Sequence, residues 1–255
     1  MALKFYDLSQ PFGRNTPIWP AIGQSDVTIE RVNYWGRDRF PGGVSKYANK
    51  VCTKFHVATH IDAPAHVLDG GLYVDQIPLE RCFGTGVVVD MRHKGKWDII
   101  TAEDLENAKP KIKDSDFVVV NTGWHKYWKK KNYDYFNYYP GFYESAGKWF
   151  VEHNVKAVGI TGGASDTPLA HRPMAQIMPW LRDEYMRETG KDPDEEFPIY
   201  EPCHFALAKA GIPGIENVGG DVDLVTGKRC TLAAFPIRFE EGDGSLVRLV
   251  AMIEE

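Results

Sequence analysis

Three histidines and a carboxylate crowd into one short segment of the chain. His56, His60, Asp62 and His66 fall within eleven positions, although the whole chain has only 8 histidines. Side chains alternate in a strand, so an extended segment over residues 53–62 would place the first three on one face. Two imidazoles and one carboxylate suit Zn²⁺, Mn²⁺ or Fe²⁺, and three protein ligands leave positions open for water and substrate. The spacing therefore predicts a catalytic metal site.

The fourth member of the segment has a different expected role. Pro64 ends the strand pattern and turns the chain, which leaves His66 away from the ligand face. An imidazole beside a metal can carry protons, so His66 is the candidate acid–base group. A single histidine is more often an ordinary hydrogen-bonded residue than a ligand, and it is the combination that favours a site. We expect the other four to be surface residues, with one candidate exception in His125: His93, His125, His153 and His171.

The elements that must position these residues are mixed. Residues 87–90, 117–121 and 157–161 are β-branched runs of the kind found in buried strands. Thr101 begins a capping box before a helix, and a second helix is predicted from apolar residues repeating between Phe142 and Phe150. This alternation predicts an α/β fold with a mixed sheet and peripheral helices.

The C-terminal third follows a different pattern. Residues 231–239 and 245–253 are extended, alternating runs around a Gly-containing turn, which predicts a hairpin. Residues 172–201 are charged and contain internal prolines, so we expect a helix with long flanking loops at the surface. No linker or repeat divides the chain, and a single domain over residues 1–255 with a surface insertion around 172–201 is the expectation.

Composition excludes several classes of function. The formal net charge is −5, so no global positive field is available to hold a nucleic-acid backbone. No stretch has the roughly 18 apolar residues needed to span a bilayer, and the first residues lack an apolar signal core. The 4 cysteines lie far apart without a Cys-x-x-Cys pair, and a chain of this length does not need disulfides to stabilise its core. We therefore expect a cytoplasmic location.

The histidine segment resembles a known family. Metal-dependent cyclase-type hydrolases, which include bacterial kynurenine formamidase and isatin hydrolase, share the motif His-x-Gly-Thr-His-x-Asp-x-Pro-x-His. The chain matches it from His56 to His66, with Ala58 in place of the glycine. Segments 7–9, 16–20, 121–124, 202–204 and 216–217 extend the resemblance nearly end to end. The separation between Asp166 and His204 is longer than in the compact formamidases.

The resemblance implies further site residues. His204 and Glu216 would complete a second metal position bridged by Asp62, and Trp19 would line the substrate pocket. Asp166 matches a family turn without an assigned role. The implied fold is a swivelling β/β/α domain, and the implied assembly is a homodimer or homotetramer.

Motif and resemblance together predict a metal-dependent hydrolase of small amides. One or two divalent ions per chain, with Zn²⁺ first and Mn²⁺ as the alternative, would polarise a carbonyl and lower the pKa of water. The expected substrate is an N-formyl arylamine or a cyclic amide, with no nucleic-acid or membrane partner. Two alternatives remain open: a metal-dependent cyclase or lyase acting on a carbonyl compound, and a non-catalytic metal-binding module.

Overall fold

Strands from both ends of the chain meet in one mixed β-sheet. The computed structural model describes residues 2–19, 27–171 and 174–254. The strands within these ranges are β1 (Leu3–Asp7), β2 (Thr28–Asn33), β3 (Ala48–Cys52), β4 (His60–Asp62), β5 (Phe83–Asp90), β6 (Ile99–Ile100), β7 (Phe117–Asn121), β8 (Gly141–Phe142), β9 (Ala157–Ile160), β10 (Gly214–Glu216), β11 (Lys228–Ala233), β12 (Gly244–Leu246) and β13 (Val250–Glu254). Nine of them form the main sheet in the order β1-β13-β11-β5-β7-β9-β10-β4-β12, while β2 pairs with β3 and β6 with β8.

The centre of the main sheet is parallel and its two flanks are antiparallel. β5, β7, β9 and β10 run parallel, and the β4 strand joins β10 antiparallel. The three β-branched runs that predicted strands are confirmed as β5, β7 and β9. Val118, Val119 and Val120 are fully buried, as expected for parallel strands covered on both faces.

Helices cover the sheet. Their bounds are α1 (Ala102–Glu106), α2 (Asn132–Asn137), α3 (Glu144–Glu152), α4 (Met174–Ile177), α5 (Pro179–Thr189), α6 (Pro193–Glu196), α7 (Pro202–Lys209) and α8 (Val222–Val225). The predicted capping box is confirmed at α1, where Thr101 and Asp104 bond reciprocally. The second predicted helix is α3, but it begins at Glu144, so Phe142 lies in β8. The predicted mixed α/β fold is confirmed.

Alternation along the central strands divides the core in two. Val87 and Val118 face a cluster that includes residues of α1, α3 and α7. Val88 and Val119 face the opposite cluster, which includes Ile61 of β4 and Ile215 of β10. The short ligand-bearing strands are thereby fixed by apolar packing on one side of the sheet.

Two predictions about the chain beyond residue 171 need correction. The 174–197 stretch contains three helices rather than one with long loops. Met178, Leu181 and Tyr185 are buried in a third apolar cluster, which also includes Trp97 and Leu169. The predicted hairpin is shorter, since β11 and β13 pair only over 231–233. The strand between them, β12, pairs instead with β4. Hydrophobic periodicity cannot predict such a pairing, because the two strands are far apart in the sequence. None of the described helices is long and apolar enough to cross a membrane.

Candidate metal centre and cavity

Residues 53–62 do not form the continuous strand expected from their sequence. Only β4 is extended, and residues 55–59 bend, with Ala58 at φ 49°. This left-handed backbone conformation interrupts the alternation of side chains. The predicted common strand face is therefore wrong, and a turn brings His56 towards β4.

The three candidate ligands of this segment still converge. One ligand atom from each of His56, His60 and Asp62 lies within 4.8 Å of the others. His56 Nδ1 is 2.7 Å from Asp62 Oδ1, and His60 Nε2 is 3.3 Å from the same oxygen. His60 Nδ1–H donates to the Ala58 carbonyl at 2.8 Å, which leaves Nε2 for the site. The turn thus delivers one ligand and orients another.

Two further ligands reach the same place from other elements. β10 pairs with β4 so that Glu216 lies opposite His60. The first turn of α7 supplies His204, whose Nε2 is 2.8 Å from Glu216 Oε1 and 3.8 Å from Asp62 Oδ2. Asp62, His204 and Glu216 form a second group with ligand atoms within 4.8 Å of one another. Asp62 belongs to both groups.

The residues present fit a divalent metal. Among the described residues, His60 Nε2 and Asp62 Oδ2 are buried without a hydrogen-bond partner. An unsatisfied buried polar atom costs about 1–3 kcal/mol, and a cation between these two atoms would satisfy both. Imidazole nitrogen and carboxylate oxygen are the donors that zinc and manganese accept.

Neighbouring carboxylates raise the pKa of two histidines in the centre. Burial alone would lower the pKa of His56, but Asp243 and Asp62 outweigh it and raise that pKa to about 10. Burial also opposes the charged form of His204, yet Asp166 and Glu216 raise its pKa well above the ordinary value. Because ligating imidazoles must be neutral at the ligating nitrogen, a bound cation would replace these protons.

A cavity of about 260 Å³ opens onto both ligand groups. Its apolar wall includes Trp19, Val57 and Phe136. The only cationic side chain other than histidine among its lining residues is Lys54, within the part of the chain that the structure describes. A cavity of this size with aromatic walls suits a small, flat molecule of low charge.

His66 lies at the cavity wall beside the first ligand group. It follows Pro64 in a single 3-10 turn, and its ring stacks on that of His56 with centroids 3.8 Å apart. Its Nδ1 is 3.5 Å from Asp243 Oδ2. His56, His66 and Asp243 also each offer a ligand atom within 4.8 Å of the other two. The position allows proton transfer to a molecule in the cavity and also a ligand role.

Trp19 lines the cavity. Its ring centroid is 4.7 Å from that of His171, and its Nε1 is buried without a partner among the described residues. The expectation that His171 is a surface residue is wrong, since its side chain is only 3% exposed. It hydrogen-bonds Tyr139 at 2.8 Å and lines the cavity. Tertiary packing against Tyr139 buries it, and nothing in its local sequence signals this.

Three acidic residues near the centre have no role predicted from the sequence. Asp243 contacts His56, Asp166 contacts His204, and Glu201 lies 3.4 Å from His171. Asp166 matches a family turn, but the match assigns it no function. The other two stand in charged, turn-rich sequence where a single carboxylate carries no signal.

Fold and site together define a mixed α/β protein with a candidate divalent metal centre at the base of a small cavity. The chain belongs to the family described as putative cyclase, whose model matches residues 6–167. Cyclase-like protein 3 of Oryza sativa subsp. japonica is 37% identical over 164 residues, which are 62% of this chain and 57% of that protein. The match thus spans little more than half the length of this relative.

Other relatives align over nearly the whole chain. Kynurenine formamidase of Bacillus cereus is 24% identical over 252 residues, 97% of this chain and 96% of the relative. An isatin hydrolase bound to the product analogue thioisatinate superposes with a TM-score of 0.78 at 20% identity, covering 99% of this chain and 93% of its own. Isatin hydrolase A from Ralstonia solanacearum gives 0.76 at 23% identity, with 99% and 92% covered. These structures share the fold of the chain.

Proposed function

We propose that this chain is a metal-dependent hydrolase that cleaves a carbon–nitrogen bond of a small amide. The observation that carries the proposal is the pair of ligand groups sharing Asp62 beside an aromatic-walled cavity. Two buried ligand atoms of these groups have no hydrogen-bond partner within the described ranges. The names of the relatives, kynurenine formamidase and isatin hydrolase, support an N-formyl arylamine or a cyclic amide as the substrate.

The ligand assignment is part of the proposal. His56, His60 and Asp62 would hold one ion, and His204 and Glu216 would hold a second through the shared Asp62. Zn²⁺ is the first choice and Mn²⁺ the alternative, because both accept nitrogen and oxygen donors. When bound, such an ion supplies Lewis-acid polarisation of a carbonyl and a lowered pKa for water.

Side chains around the centre would transfer protons and bind the substrate. His66 would accept a proton as a tetrahedral adduct forms and return it to the leaving nitrogen. Trp19 would stack on a flat substrate. Of the described lining residues only Lys54 carries a non-histidine cation, too little to neutralise a phosphate ester, which favours a neutral or singly charged substrate.

Turnover by protein of known metal content tests the proposal. Metal-loaded protein should hydrolyse a formanilide, a cyclic imide or an isatin-like ring, and should leave p-nitrophenyl phosphate intact. Asp62→Asn should lose metal from both positions and all activity. Inactivity across the amide panel in fully loaded protein would favour a cyclase or lyase, and the absence of an exchangeable water would favour a binding module.

We also propose a homodimer or homotetramer. The β2–β3 pair is separate from the main sheet, and a two-stranded ribbon is marginally stable by itself. Trp35, Val44 and Tyr47, in the segment that connects the two strands, are exposed, with Trp35 at 72%. A second copy of the chain covering the ribbon would bury these side chains. Light scattering on the parent and Trp35→Ser would detect the assembly and its weakening.

Organisation and compartment complete the proposal. A single domain over residues 1–255 is supported by the pairing of β1 with β13, which joins the two ends of the chain in one sheet. A cytoplasmic location is supported by the four cysteines, all of which are free.

A further inference from the structure

Asp166 is a buried carboxylate that belongs to neither ligand group. It lies in the turn after β9, and its side chain is fully buried. Its Oδ1 accepts the backbone N–H of Cys203 at 2.9 Å. Its Oδ2 accepts the backbone N–H of His204 at 2.9 Å and lies 2.6 Å from Nδ1 of the same residue. These bonds of the carboxylate therefore converge on the first turn of α7.

The contact with the imidazole determines which nitrogen of His204 faces the centre. An ionised carboxylate can only accept hydrogen bonds, so Nδ1 of His204 must carry a proton. The opposite nitrogen, Nε2, then points to Glu216 and Asp62. Histidines that bind metals commonly donate their other N–H to a carboxylate, and loss of that partner typically weakens metal binding 10- to 100-fold.

We propose that Asp166 is a positioning residue that holds His204 as an Nε2 ligand of the second metal position. This inference rests on the proposed function, because it requires His204 to bind a metal. The two backbone bonds fix where the helix begins, and the third bond fixes the ring. A carboxylate that served only to cap α7 would need no contact with Nδ1.

The variant Asp166→Asn separates these two roles. Asparagine caps helix N–H groups about as well as aspartate does. Its side-chain amide, however, has only one acceptor oxygen, so it cannot keep the bonds from Cys203 and from His204 together, and it lacks the charge that strengthens the bond from Nδ1–H. Part of the cap should survive in this variant, while the ring loses its charged partner and with it the fixed orientation.

The chain offers a matched control in Asp116. This buried carboxylate accepts the backbone N–H of Lys113 at 2.8 Å and pairs with Arg229, and it contacts neither ligand group. Asp116→Asn therefore removes a buried charge of similar setting without touching the centre.

The experiment measures Zn²⁺ affinity by competition with a chromophoric chelator. In the parent we expect two binding steps, of which Glu216→Gln loses one. Asp166→Asn should weaken that same step 10- to 100-fold and leave the other unchanged, while Asp116→Asn leaves both within about threefold. Equal affinities in the parent and Asp166→Asn would overturn this inference alone. Failure of the parent to bind Zn²⁺ would overturn the proposed function and this inference with it.

A second measurement needs no variant. Long-range ¹H–¹⁵N spectra of the zinc-loaded parent report the tautomer of each histidine. His204 should carry its proton on Nδ1, in slow exchange with water. A metal-bound Nδ1, or an Nδ1 proton that exchanges freely, would overturn the assignment.

Discussion

At the scale of single residues, the geometry of the centre depends on one turn, which positions two of its histidines. Ala58 lies between His56 and His60, and its carbonyl accepts Nδ1–H of His60. The backbone conformation at Ala58 therefore sets the position of one ligand and the ring orientation of the other.

Replacement of Ala58 tests this dependence. Its φ of 49° costs an L-residue roughly 1–2 kcal/mol, which glycine would avoid. Glycine would also lose a buried methyl worth about 0.8 kcal/mol and would add chain entropy of about 0.5–1 kcal/mol. These terms nearly cancel, so Ala58→Gly should unfold in urea within about 1 kcal/mol of the parent and keep its metal.

The β-branched variant provides the contrast. Valine tolerates a positive φ poorly, so Ala58→Val should lose more than about 2 kcal/mol of stability and bind metal more weakly. Equal metal affinity in both variants would mean that the turn does not position the ligands.

His66 separates proton transfer from metal binding. If it carries protons, His66→Ala should lower kcat by roughly 10² or more and leave metal content unchanged. Its stacking on His56 and its distance to Asp243 also permit a ligand role. Loss of metal from His66→Ala, measured by elemental analysis, would assign it to the ligand shell instead.

The ligand candidates could be predicted from the sequence because their types and spacing are unusual. The turn at Ala58 could not, because a left-handed alanine has no local signal. His171 and Asp166 were missed as site residues for a related reason. Their surroundings come from tertiary contacts with Tyr139 and His204, not from their own neighbours in the chain.

At the scale of elements, the second ligand group depends on how closely α3 approaches α7. A Cβ built on Gly147 of α3 would lie 2.9 Å from Cys203 Cα and 3.3 Å from Ala206 Cβ. Glycine thus lets the helices come together at the turn that carries His204. Helix periodicity predicted α3, but this close approach follows only from the packing of the two helices.

Gly147→Ala should therefore destabilise the chain, although the same change in an exposed helix stabilises it by about 1 kcal/mol. Overpacking at this contact should cost about 1–3 kcal/mol and displace His204, which would weaken the second metal position. Urea unfolding and metal titration measure the two effects. Glu152→Ala, on the exposed side of α3, is the control and should stay within about 0.5 kcal/mol. A Gly147→Ala protein more stable than the parent would show that the contact between α3 and α7 accommodates a methyl group.

Elements were predicted well where the signal is local and poorly where pairing is distant. The runs of valine predicted β5 and β7, and the capping box predicted α1. β12 pairs with β4 across more than half of the chain, and the choice of that partner depends on the finished sheet. β4, β10 and β12 have only three residues each, which is too short for an alternating pattern to be recognised.

At the scale of the whole molecule, the candidate ligands join distant parts of the chain. His56, His60 and Asp62 come from its first quarter, and His204 and Glu216 from its last. β4 and β10 are neighbours in the main sheet, so unfolding separates the two groups. A metal that bridges the two groups therefore binds the native state much more tightly than the unfolded chain.

Metal binding should therefore stabilise the entire fold. At a free metal concentration 100 times Kd, linkage adds about 2.7 kcal/mol, less whatever the unfolded chain binds. For a chain of this size each kcal/mol raises Tm by about 2–4 °C, so the expected increase over chelator-treated protein is about 5–10 °C. Asp62→Asn, which lacks the shared ligand, should show the same Tm with metal and with chelator. Calorimetry of both proteins across a metal titration gives the comparison. An unchanged Tm in a parent that holds metal would mean that the unfolded chain binds the ion about equally well, as ligands from one short segment could, and would contradict a centre assembled by folding.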